Sequence, residues 1–456
     1  MTSTSPSTRK RKLWRDAEPT QYTAFYAYRS SGQGASRSNS LCCEDTPLDR
    51  IARQVGTPTY VYSRAGIQDA YLHLDRAFGS LPHTVCYSLK ANSNLSVLRL
   101  FARLGSSFDI VSGGELDRLR RLGVSGSRIV FSGVGKTREE IRDALRYTGK
   151  GARRSGIFLF NVESEAELEV LLEEAADHIA AGGERPSAAI RVNPDVLAGG
   201  HRHISTGHHQ HKFGIDWEQA RNLYLAHKNS RLIAWRGISA HIGSQILSVA
   251  PYRRALQRVA SYVRELVPLG IRLDYVDIGG GLGIRYTNEQ PLNVSLYART
   301  LSGIVRPLGC RLLIEPGRTL VGPAGVLLTR VLYVKENGGR KFVVVDAAMN
   351  DLIRPVLYDA VHPITKVIRG SKGISKSRVD VVGPICETGD FLARDYLLEP
   401  VGAGDLLAVW AAGAYGFAES SNYNARRRAA EVLVEGTKFR IVRRRETYDD
   451  LVQGEI

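Results

Sequence analysis

Polar residues and glycines stand at or near the C-terminal ends of six of the eight short apolar segments in this chain. They are Lys90, Asp109, Ser112, Arg191, Asn193, His241, Ser244, Gly279, Gly280, Gly281 and Glu315. A lysine is rarely buried without a partner or a function. Each residue alone has an ordinary explanation, such as a lysine that reaches solvent, a hydrogen-bonded core histidine or a flexible turn. Their shared position at segment ends indicates one common site.

A lysine, a histidine, a glycine-rich turn and a carboxylate together suit one kind of chemistry. A desolvated lysine has a lowered pKa and forms Schiff bases with aldehydes. Successive glycines allow backbone N–H groups to approach a phosphate closely. A carboxylate that faces a pyridine nitrogen keeps that nitrogen protonated, which makes the ring an electron sink. The combination predicts a pyridoxal phosphate site in which Lys90 binds the aldehyde.

The segments that precede these residues have the character of strands. They span residues 84–90, 107–112, 128–133, 157–162, 187–193, 237–244, 275–281 and 312–317. Amphipathic helical patterns separate them, as in the apolar series Leu168, Leu171, Leu172, Ala175 and Ile179. Eight alternating strand and helix units in about 250 residues predict a (β/α)8 barrel, whose strand ends share one rim. An open, doubly wound sheet is the alternative.

The chain after residue 317 has a different pattern. Strand-like segments punctuated by glycine continue almost to the end, which predicts a β-sandwich or open β-barrel. We therefore expect a basic, disordered leader at 1–20 and a segment at 21–56 that packs on the β domain and adds a strand to it. The barrel is expected at 57–321 and the C-terminal β domain at 322–456.

Composition narrows the class of protein. The chain has 456 residues and 43% hydrophobic content, enough for a large core and more than one domain. Its five cysteines are odd in number and form no C-x-x-C pair, which disfavours a disulfide framework or a zinc knuckle. No apolar run reaches the roughly 18 residues of a membrane span, and the first residues lack the apolar core of a signal peptide. We expect a cytoplasmic enzyme that is not bound to a membrane.

Two features could indicate other ligands. The net charge is +16, with basic clusters at 9–12, 426–428 and 443–445, but no nucleic-acid-binding module accompanies them. Five of the eleven histidines lie in residues 201–211, where imidazoles could bind zinc or nickel. No carboxylate or cysteine lies nearby in sequence. We therefore expect a solvated basic surface that does not bind nucleic acid, and a solvated histidine-rich loop without a metal.

Ten sequence stretches resemble one family in their order along the chain. They are "YSLKAN" (87–92), "FDIVSGGEL" (108–116), "RVNP" (191–194), "KFGI" (212–215), "HIGSQI" (241–246), "DIGGGLGI" (277–284), "IEPGRTLVG" (314–322), "DAAMNDLIRPVLYDA" (346–360), "GPICETGDFLA" (383–393) and "GAYG" with "SNYN" (413–424). Across roughly residues 57–435 the chain resembles the barrel-type pyridoxal phosphate decarboxylases of amino acids. Within them it is most similar to the diaminopimelate decarboxylases, which implies an alanine-racemase-like barrel with a β domain.

The resemblance implies roles for individual residues. Lys90 would hold the cofactor covalently, His241 would stack on its pyridine ring, and Glu315 would pair with the ring nitrogen. The other cofactor-binding residues implied are Asp109, Ser244, Gly279, Gly280, Gly281, Pro316, Gly317, Arg318 and Tyr415. The substrate-binding residues implied are Arg318, Arg354, Tyr358, Glu387 and Tyr415. Cys386 resembles the family's proton donor, which would come from the other subunit of a homodimer.

The implied reaction is decarboxylation of meso-2,6-diaminopimelate to L-lysine and carbon dioxide, the last step of lysine biosynthesis. Two arginines, Arg318 and Arg354, can bind a distal carboxylate through forked hydrogen bonds, and Glu387 can take the distal ammonium. The alternatives are a related decarboxylase of arginine, ornithine or carboxynorspermidine, and a non-catalytic relative that binds the cofactor. Ser88, Ala348 and Glu419 depart from the usual family pattern without removing a catalytic group.

Overall fold

The computed structural model describes residues 25–31, 38–149, 155–196, 212–369 and 375–456. The expected leader at 1–20 and the histidine-rich segment at 201–211 lie outside these ranges. Among the helices in the described ranges, none combines the length and the apolar character that a bilayer span requires.

The strands of the described residues are numbered here in chain order. They are β1 (Tyr26–Ser31), β2 (Ser38–Cys43), β3 (Thr46–Pro47), β4 (Thr59–Ser63), β5 (His83–Ser88), β6 (Ser107–Ile110), β7 (Ile129–Phe131), β8 (Leu159–Val162), β9 (Ser187–Arg191), β10 (Ala234–Ser239), β11 (Tyr275–Asp277), β12 (Arg311–Ile314), β13 (Gly325–Asn337), β14 (Arg340–Val345), β15 (Ile364–Lys366), β16 (Ile368–Arg369), β17 (Ser377–Val382), β18 (Phe391–Leu398), β19 (Leu406–Val409), β20 (Ala430–Glu435) and β21 (Lys438–Arg443).

The helices of the described residues are numbered in the same way. They are α1 (Leu48–Val55), α2 (Arg64–Ala77), α3 (Leu95–Leu104), α4 (Gly113–Arg121), α5 (Arg138–Leu145), α6 (Glu165–Ala180), α7 (Trp217–Ala226), α8 (Val249–Leu266), α9 (Val294–Val305), α10 (Arg318–Val321), α11 (Arg354–Tyr358) and α12 (Tyr448–Val452).

Contacts divide the chain into two compact units. The barrel unit comprises the described residues of Tyr71–Gly283 and Pro291–Thr319, and the sheet unit comprises those up to Ala70 together with Ile284–Gln290 and Leu320–Ile456. This division differs from the expected boundary at residue 57. The reason is β4, a fully buried strand that pairs with β13 on one side and β20 on the other, in the sheet unit.

The barrel unit contains a closed barrel of eight parallel strands. Their order around the barrel is β5, β6, β7, β8, β9, β10, β11 and β12, and β12 pairs with β5. The prediction of a (β/α)8 barrel is thus confirmed, and the alternative of an open, doubly wound sheet is not observed in this unit. Residues at the C-terminal strand ends stand in register, as Ser88 does with Asp109 and Ser239 with Asp277. The polar residues noted in the sequence are therefore brought to one rim of the barrel.

Helices of the barrel unit begin where the sequence provides capping side chains. Ser112 caps α4 by accepting the N–H of Glu115, and Ser164 caps α6 by accepting the N–H of Glu167. Thr137 and Glu140 form a capping box at the start of α5. These hydrogen bonds satisfy N–H groups that have no partner within the helix, so each βα turn ends in a defined geometry.

The sheet unit contains two sheets. A nine-stranded sheet follows the order β18, β17, β14, β13, β4, β20 and β21. In the same sheet β19 pairs with β13, and β15 pairs with β19. A four-stranded sheet contains β1, β2, β3 and β16. One core, which includes Leu41, Val61, Val326, Trp410 and Val432, holds residues of both sheets. The prediction of a C-terminal β domain that includes N-terminal strands is confirmed as a fold, with mixed parallel and antiparallel pairing.

Candidate active site

Lys90 lies in a single 3-10 turn, Leu89–Ala91, directly after β5. Its Nζ donates to Oδ2 of Asp109 at 3.0 Å. The Lys90 side chain is 38% exposed, whereas that of Asp109 is completely buried. Lys90 is thus only partly buried, because β5 ends at Ser88 and Lys90 belongs to the turn that follows.

Asp109 connects the lysine to the barrel interior. Its Oδ2 also accepts the hydroxyl of Ser88 at 2.7 Å, so the serine that departs from the family pattern holds this carboxylate. The second carboxylate oxygen, Oδ1, is buried and has no hydrogen-bond partner within the described part of the chain. A buried acceptor without a partner costs free energy. Asp109 can therefore accept a hydrogen bond from a ligand that enters here.

His241 contacts the glycine-rich turn. The N–H of Gly280 donates to Nδ1 of His241 at 3.2 Å. Burial, and then the positive charges of Arg191 and Lys90, hold the pKa of His241 well below its usual value. The imidazole is thus neutral with its proton on Nε2, since Nδ1 accepts. A neutral ring is suited to stacking against a flat ligand.

The turn at 279–281 leaves no room for side chains. A Cβ at Gly280 would lie 2.0 Å from the carbonyl oxygen of Glu315, and one at Gly281 would lie 2.2 Å from that of Gly243. Gly281 also has a φ of +95°, which favours glycine. The hydroxyl of Tyr252 donates to the carbonyl of Gly280 at 3.0 Å and fixes the turn. The glycines are required by close backbone approach, as a phosphate-binding turn requires.

Gly280→Ala should destabilise the protein by about 2 kcal/mol or more, because the backbone must shift to relieve the overlap. The variant should also bind pyridoxal phosphate more weakly. Thermal unfolding and titration with the cofactor measure both effects. Gly303→Ala is the matched control, since Gly303 lies inside α9 with open space around it, and the change should be neutral or stabilising. Equal stability of the two variants would contradict the steric argument.

Glu315 belongs to a buried carboxyl network. Burial, and then the nearby carboxylates of Asp109 and Asp277, raise the pKa of Glu315 well above its usual value. Burial also raises the pKa of Asp277. The hydrogen bond between these two side chains favours the proton on Glu315, which donates to Asp277. Burial and this hydrogen bond together favour one proton within the pair, on Glu315.

Neighbouring polar groups fix this carboxyl pair. Asn161 donates from Nδ2 to Asp277 at 3.2 Å and to the hydroxyl of Ser132 at 3.0 Å. The Ser132 hydroxyl in turn donates to Oε1 of Glu315 at 3.3 Å. Sequence reasoning missed Ser132, Asn161 and Asp277 as parts of the site. Their signal was a polar side chain at the C-terminal end of an apolar strand, the same signal that identified Asp109.

The segment after β12 closes the rim. The carbonyl of Pro316 accepts the N–H of Ser88 at 3.1 Å. A Cβ on Gly317 would lie 2.9 Å from that of Ala91, so this glycine allows two backbone segments to meet. Arg318 is 5% exposed and donates from Nη2 to the hydroxyl of Ser244 at 3.1 Å. Arg318 and Ser244, both predicted as cofactor-binding residues, are therefore in contact.

An ion pair supports the opposite part of the rim. Arg191 donates to Oε1 of Glu163 at 2.8 Å, and the same oxygen accepts the N–H of Gly133 at 2.8 Å. Sequence reasoning noted Arg191 but not its partner. Lys136, also missed, has a fully buried side chain whose three hydrogen bonds go to the carbonyls of Gly133 and Asn161 and to the carboxylate of Glu167. These pairs are structural supports of the loops.

The sheet unit contains a second group of predicted residues, centred on Arg354. Arg354 starts α11 and is only 5% exposed. Its guanidinium carbon lies 5.6, 5.5 and 5.8 Å from the ring centroids of Tyr286, Tyr358 and Tyr415. Its Nε donates to Nε2 of His362 at 3.3 Å. Within the described ranges, no carboxylate forms an ion pair with Arg354 and nothing accepts a hydrogen bond from its Nη groups.

The loop with Cys386 and Glu387 is exposed but held by hydrogen bonds. The N–H of Cys386 donates to Oδ1 of Asn424 at 2.9 Å, and the hydroxyl of Tyr423 donates to the carboxylate of Glu387 at 2.8 Å. At the base of the loop, Asp390 accepts the N–H groups of Met349 at 2.7 Å and Ile385 at 2.8 Å. The thiol is exposed on the chain surface, where a second molecule can reach it.

The predicted site residues thus fall into two groups, one in each unit. The barrel unit contains Lys90, Asp109, His241, Ser244, Gly279, Gly280, Gly281, Glu315, Pro316, Gly317 and Arg318, and the sheet unit contains Arg354, Tyr358, Cys386, Glu387 and Tyr415. Contacts among the barrel residues are direct, and so are those of Arg354 with Tyr358 and Tyr415.

Comparison with known families identifies the barrel. Residues 64–322, more than half of the chain, match the family model of the pyridoxal binding domain of pyridoxal-dependent decarboxylases. The chain belongs to this family. The family's cofactor is pyridoxal phosphate, and the barrel unit fits it: an amine at Lys90, a side-chain-free glycine turn, a neutral imidazole and a buried acceptor at Asp109 Oδ1. The predicted family and cofactor are confirmed.

Two curated relatives that are similar to this chain over most of its length have the same name. A diaminopimelate decarboxylase of Pseudomonas aeruginosa is 48% identical over 419 residues, which cover 92% of this chain and 97% of the relative. One of Neisseria meningitidis is 45% identical over 417 residues, which cover 91% of this chain and 99% of the relative.

Solved structures show the same architecture. A diaminopimelate decarboxylase of Helicobacter pylori, solved with L-lysine, has a TM-score of 0.83 and 39% identity, and the match covers 89% of this chain and 98% of that one. A diaminopimelate decarboxylase of M. jannaschii has a TM-score of 0.86 and 34% identity, with 95% and 98% covered.

Proposed function

We propose that this protein decarboxylates meso-2,6-diaminopimelate to L-lysine and carbon dioxide, the last step of lysine biosynthesis. Its relatives at 41–48% identity are named for this reaction. The structural observation that supports this substrate is Arg354, a buried guanidinium in an aromatic cage that has no protein carboxylate beside it among the described residues.

The burial of Arg354 without a carboxylate counter-ion among the described residues favours a substrate with a distal carboxylate. A buried charge without a partner costs several kcal/mol, because desolvation is not offset by a counter-ion. A carboxylate ligand offsets this cost and can form two parallel hydrogen bonds with the Nη groups. Ornithine and arginine present a distal cation instead, which the guanidinium repels. Diaminopimelate has the required distal carboxylate.

The barrel residues bind and activate the cofactor in this proposal. Lys90 would hold the cofactor through its aldehyde, and Asp109 orients the lysine Nζ. The N–H groups of the turn at 279–281, with Ser244 and Arg318, bind the phosphate. Glu315 would pair with the ring nitrogen of the cofactor and balance its positive charge. When bound, pyridoxal phosphate supplies the electron sink for the electron pair that remains after the carboxylate departs.

The remaining residues bind substrate and complete the proton balance. Arg354, with Tyr358 and Tyr415, would hold the distal carboxylate, and Glu387 would bind the distal ammonium. At the D centre the bond between the α-carbon and the carboxylate breaks, and carbon dioxide leaves. The thiol of Cys386 then gives its proton to that carbon, so a C–H bond forms and the L centre is retained. A positioned thiol can act as the general acid of this step.

We further propose that the enzyme is a cytoplasmic homodimer and that Cys386 acts on the site of the other subunit. Cys386→Ala should lower kcat about 10²-fold, the usual contribution of one positioned acid, while the cofactor stays bound. Stopped-flow turnover and the visible spectrum of the cofactor measure both effects. Full activity of the variant would exclude Cys386 as the proton donor.

Mixing variants tests whether sites are shared. When inactive Cys386→Ala and Lys90→Ala proteins exchange subunits, half of the dimers are mixed, and each mixed dimer has one intact site. Activity should then recover to about a quarter of the wild-type value. Two copies of the same variant, mixed in the same way, are the control. If the mixture stays inactive although mass spectrometry detects mixed dimers, each subunit uses its own Cys386.

The reaction itself is tested by carbon dioxide release from the purified protein with pyridoxal phosphate. Meso-diaminopimelate should be the substrate, with L-lysine as the product, whereas ornithine, arginine and carboxynorspermidine should be turned over at least about 10²-fold less efficiently. A preference for any of the other three would reject the assigned substrate. If no substrate releases carbon dioxide, the result would favour a non-catalytic protein that binds the cofactor. The presence of both Lys90 and Cys386 argues against that alternative.

A further inference from the structure

We propose that His362 is a positioning residue that sets the direction of the Arg354 guanidinium and thereby the selection of substrates with a distal carboxylate. This inference rests on the proposed function of Arg354. His362 was not noted in the sequence. It follows Tyr358 by four residues and lies outside the helices numbered above, two residues before the start of β15.

The contacts of His362 define its tautomer. Its Nδ1 lies 2.8 Å from the carbonyl oxygen of Trp410. A carbonyl can only accept, so Nδ1 carries the proton. The Nε–H of Arg354 can only donate, so Nε2 must present its lone pair at 3.3 Å. Both contacts are satisfied by the neutral ring in one tautomer and by no other form.

The surroundings hold the imidazole in place. His362 is completely buried, and the ring of Tyr286 packs edge-on against it with centroids 5.1 Å apart. Trp410 is itself fixed, because its indole N–H donates to the hydroxyl of Thr365 at 2.9 Å and its backbone N–H to the carbonyl of Pro363 at 2.9 Å. The acceptor for Arg354 therefore has a fixed position and orientation.

A guanidinium whose Nε is fixed presents its two Nη groups in one plane. Within the described residues those groups have no hydrogen-bond acceptor. A fork–fork interaction with a carboxylate depends on this plane, because both N–H donors must point to both oxygens. Without the His362 acceptor the guanidinium can rotate in the cage of three tyrosine rings. The positive charge of Arg354 would remain, but the fixed direction of its Nη donors would be lost.

The test compares two ligands of the holoenzyme that differ in one carboxylate. L-lysine retains the carboxylate of the L centre, and 1,5-diaminopentane lacks it. Isothermal titration calorimetry gives Kd for each with the wild-type protein, His362→Phe and His362→Gln. His362→Phe should weaken L-lysine binding about tenfold and leave the binding of the diamine unchanged, since only the orientation of a charged donor is lost. His362→Gln should recover most of the loss, because its amide oxygen can accept from Arg354.

Controls separate this role from general damage. His178→Phe replaces another buried histidine, far from Arg354 in sequence and in the barrel unit, and should leave both Kd values unchanged. Thermal unfolding of every variant and the visible spectrum of its cofactor establish that the proteins are folded and loaded. A KM for diaminopimelate that rises in His362→Phe, with kcat nearly constant, is the expected kinetic counterpart.

The outcomes distinguish the inference from the proposed function. If wild-type protein prefers L-lysine over the diamine, and His362→Phe keeps that preference within about twofold, His362 does not position Arg354 and the proposed function stands. If His362→Phe weakens both ligands equally, its role is structural and the inference is overturned. If wild-type protein shows no preference, recognition of the distal carboxylate fails, and both proposals fail with it.

Discussion

Lys90→Ala is expected to lower kcat/KM for meso-diaminopimelate by at least about 10³-fold, since the covalent nucleophile is removed. The change also leaves Asp109 without its cationic partner, because the Lys90 Nζ is the only cation that forms an ion pair with it among the described residues. Reduction with borohydride followed by peptide mass spectrometry should find the cofactor linked to Lys90 in wild-type protein and to no residue in the variant.

Lys90→Arg separates chemistry from charge. The guanidinium keeps a positive charge beside Asp109, but it stays protonated at any accessible pH and cannot act as a nucleophile. We expect Lys90→Arg to unfold near the wild-type temperature and to be as inactive as Lys90→Ala. A borohydride-stable link in either variant, for example at Lys136, would show that the cofactor lysine is another residue.

Arg354→Ala should reduce kcat/KM for diaminopimelate by about 10²- to 10³-fold, because truncation of one partner of a buried charge pair costs 2–5 kcal/mol. Most of the loss should appear in KM, as the residue is proposed to bind a part of the substrate that does not react. Steady-state kinetics with the loaded enzyme, and the visible spectrum of the cofactor without substrate, separate recognition from cofactor binding.

Two further variants sharpen this test. Arg354→Lys keeps the charge but not the planar fork, and it should lie between wild type and Arg354→Ala. Arg440→Ala removes an exposed arginine of β21 in the same unit and should leave kcat/KM unchanged. An unchanged KM in Arg354→Ala would leave the substrate choice without its structural support.

Much of the barrel could be predicted because its signals are local. A parallel barrel strand is a short apolar run, and the eight runs found in the sequence all overlap observed strands. The glycines at 279–281 were recognisable because a backbone that must approach another backbone tolerates no Cβ. A Cβ added at Gly280 or Gly281 would lie only 2.0 or 2.2 Å from a backbone carbonyl oxygen. The strand ends also located Lys90, Asp109 and Glu315 on one rim.

The partial exposure of Lys90 and the domain boundary could not be predicted from local sequence patterns. The apolar run before Lys90 suggested a buried side chain, yet the strand ends at Ser88 and the following turn leaves the lysine partly exposed. The run at 59–63 looks the same as a barrel strand, but it pairs with β13 and β20, far away in sequence. Pairing partners depend on the whole topology, which a local pattern does not contain.

The sequence by itself determined which residue types stand at the strand ends, and with them the barrel, the family and the cofactor. Tertiary structure alone decided how those groups are paired: Glu315 with Asp277, Asn161 donating to Asp277, and His362 accepting from Arg354. The physical reason is that each of these hydrogen bonds joins groups on separate elements. Their distance and burial, which set charge state and direction, exist only after the elements pack.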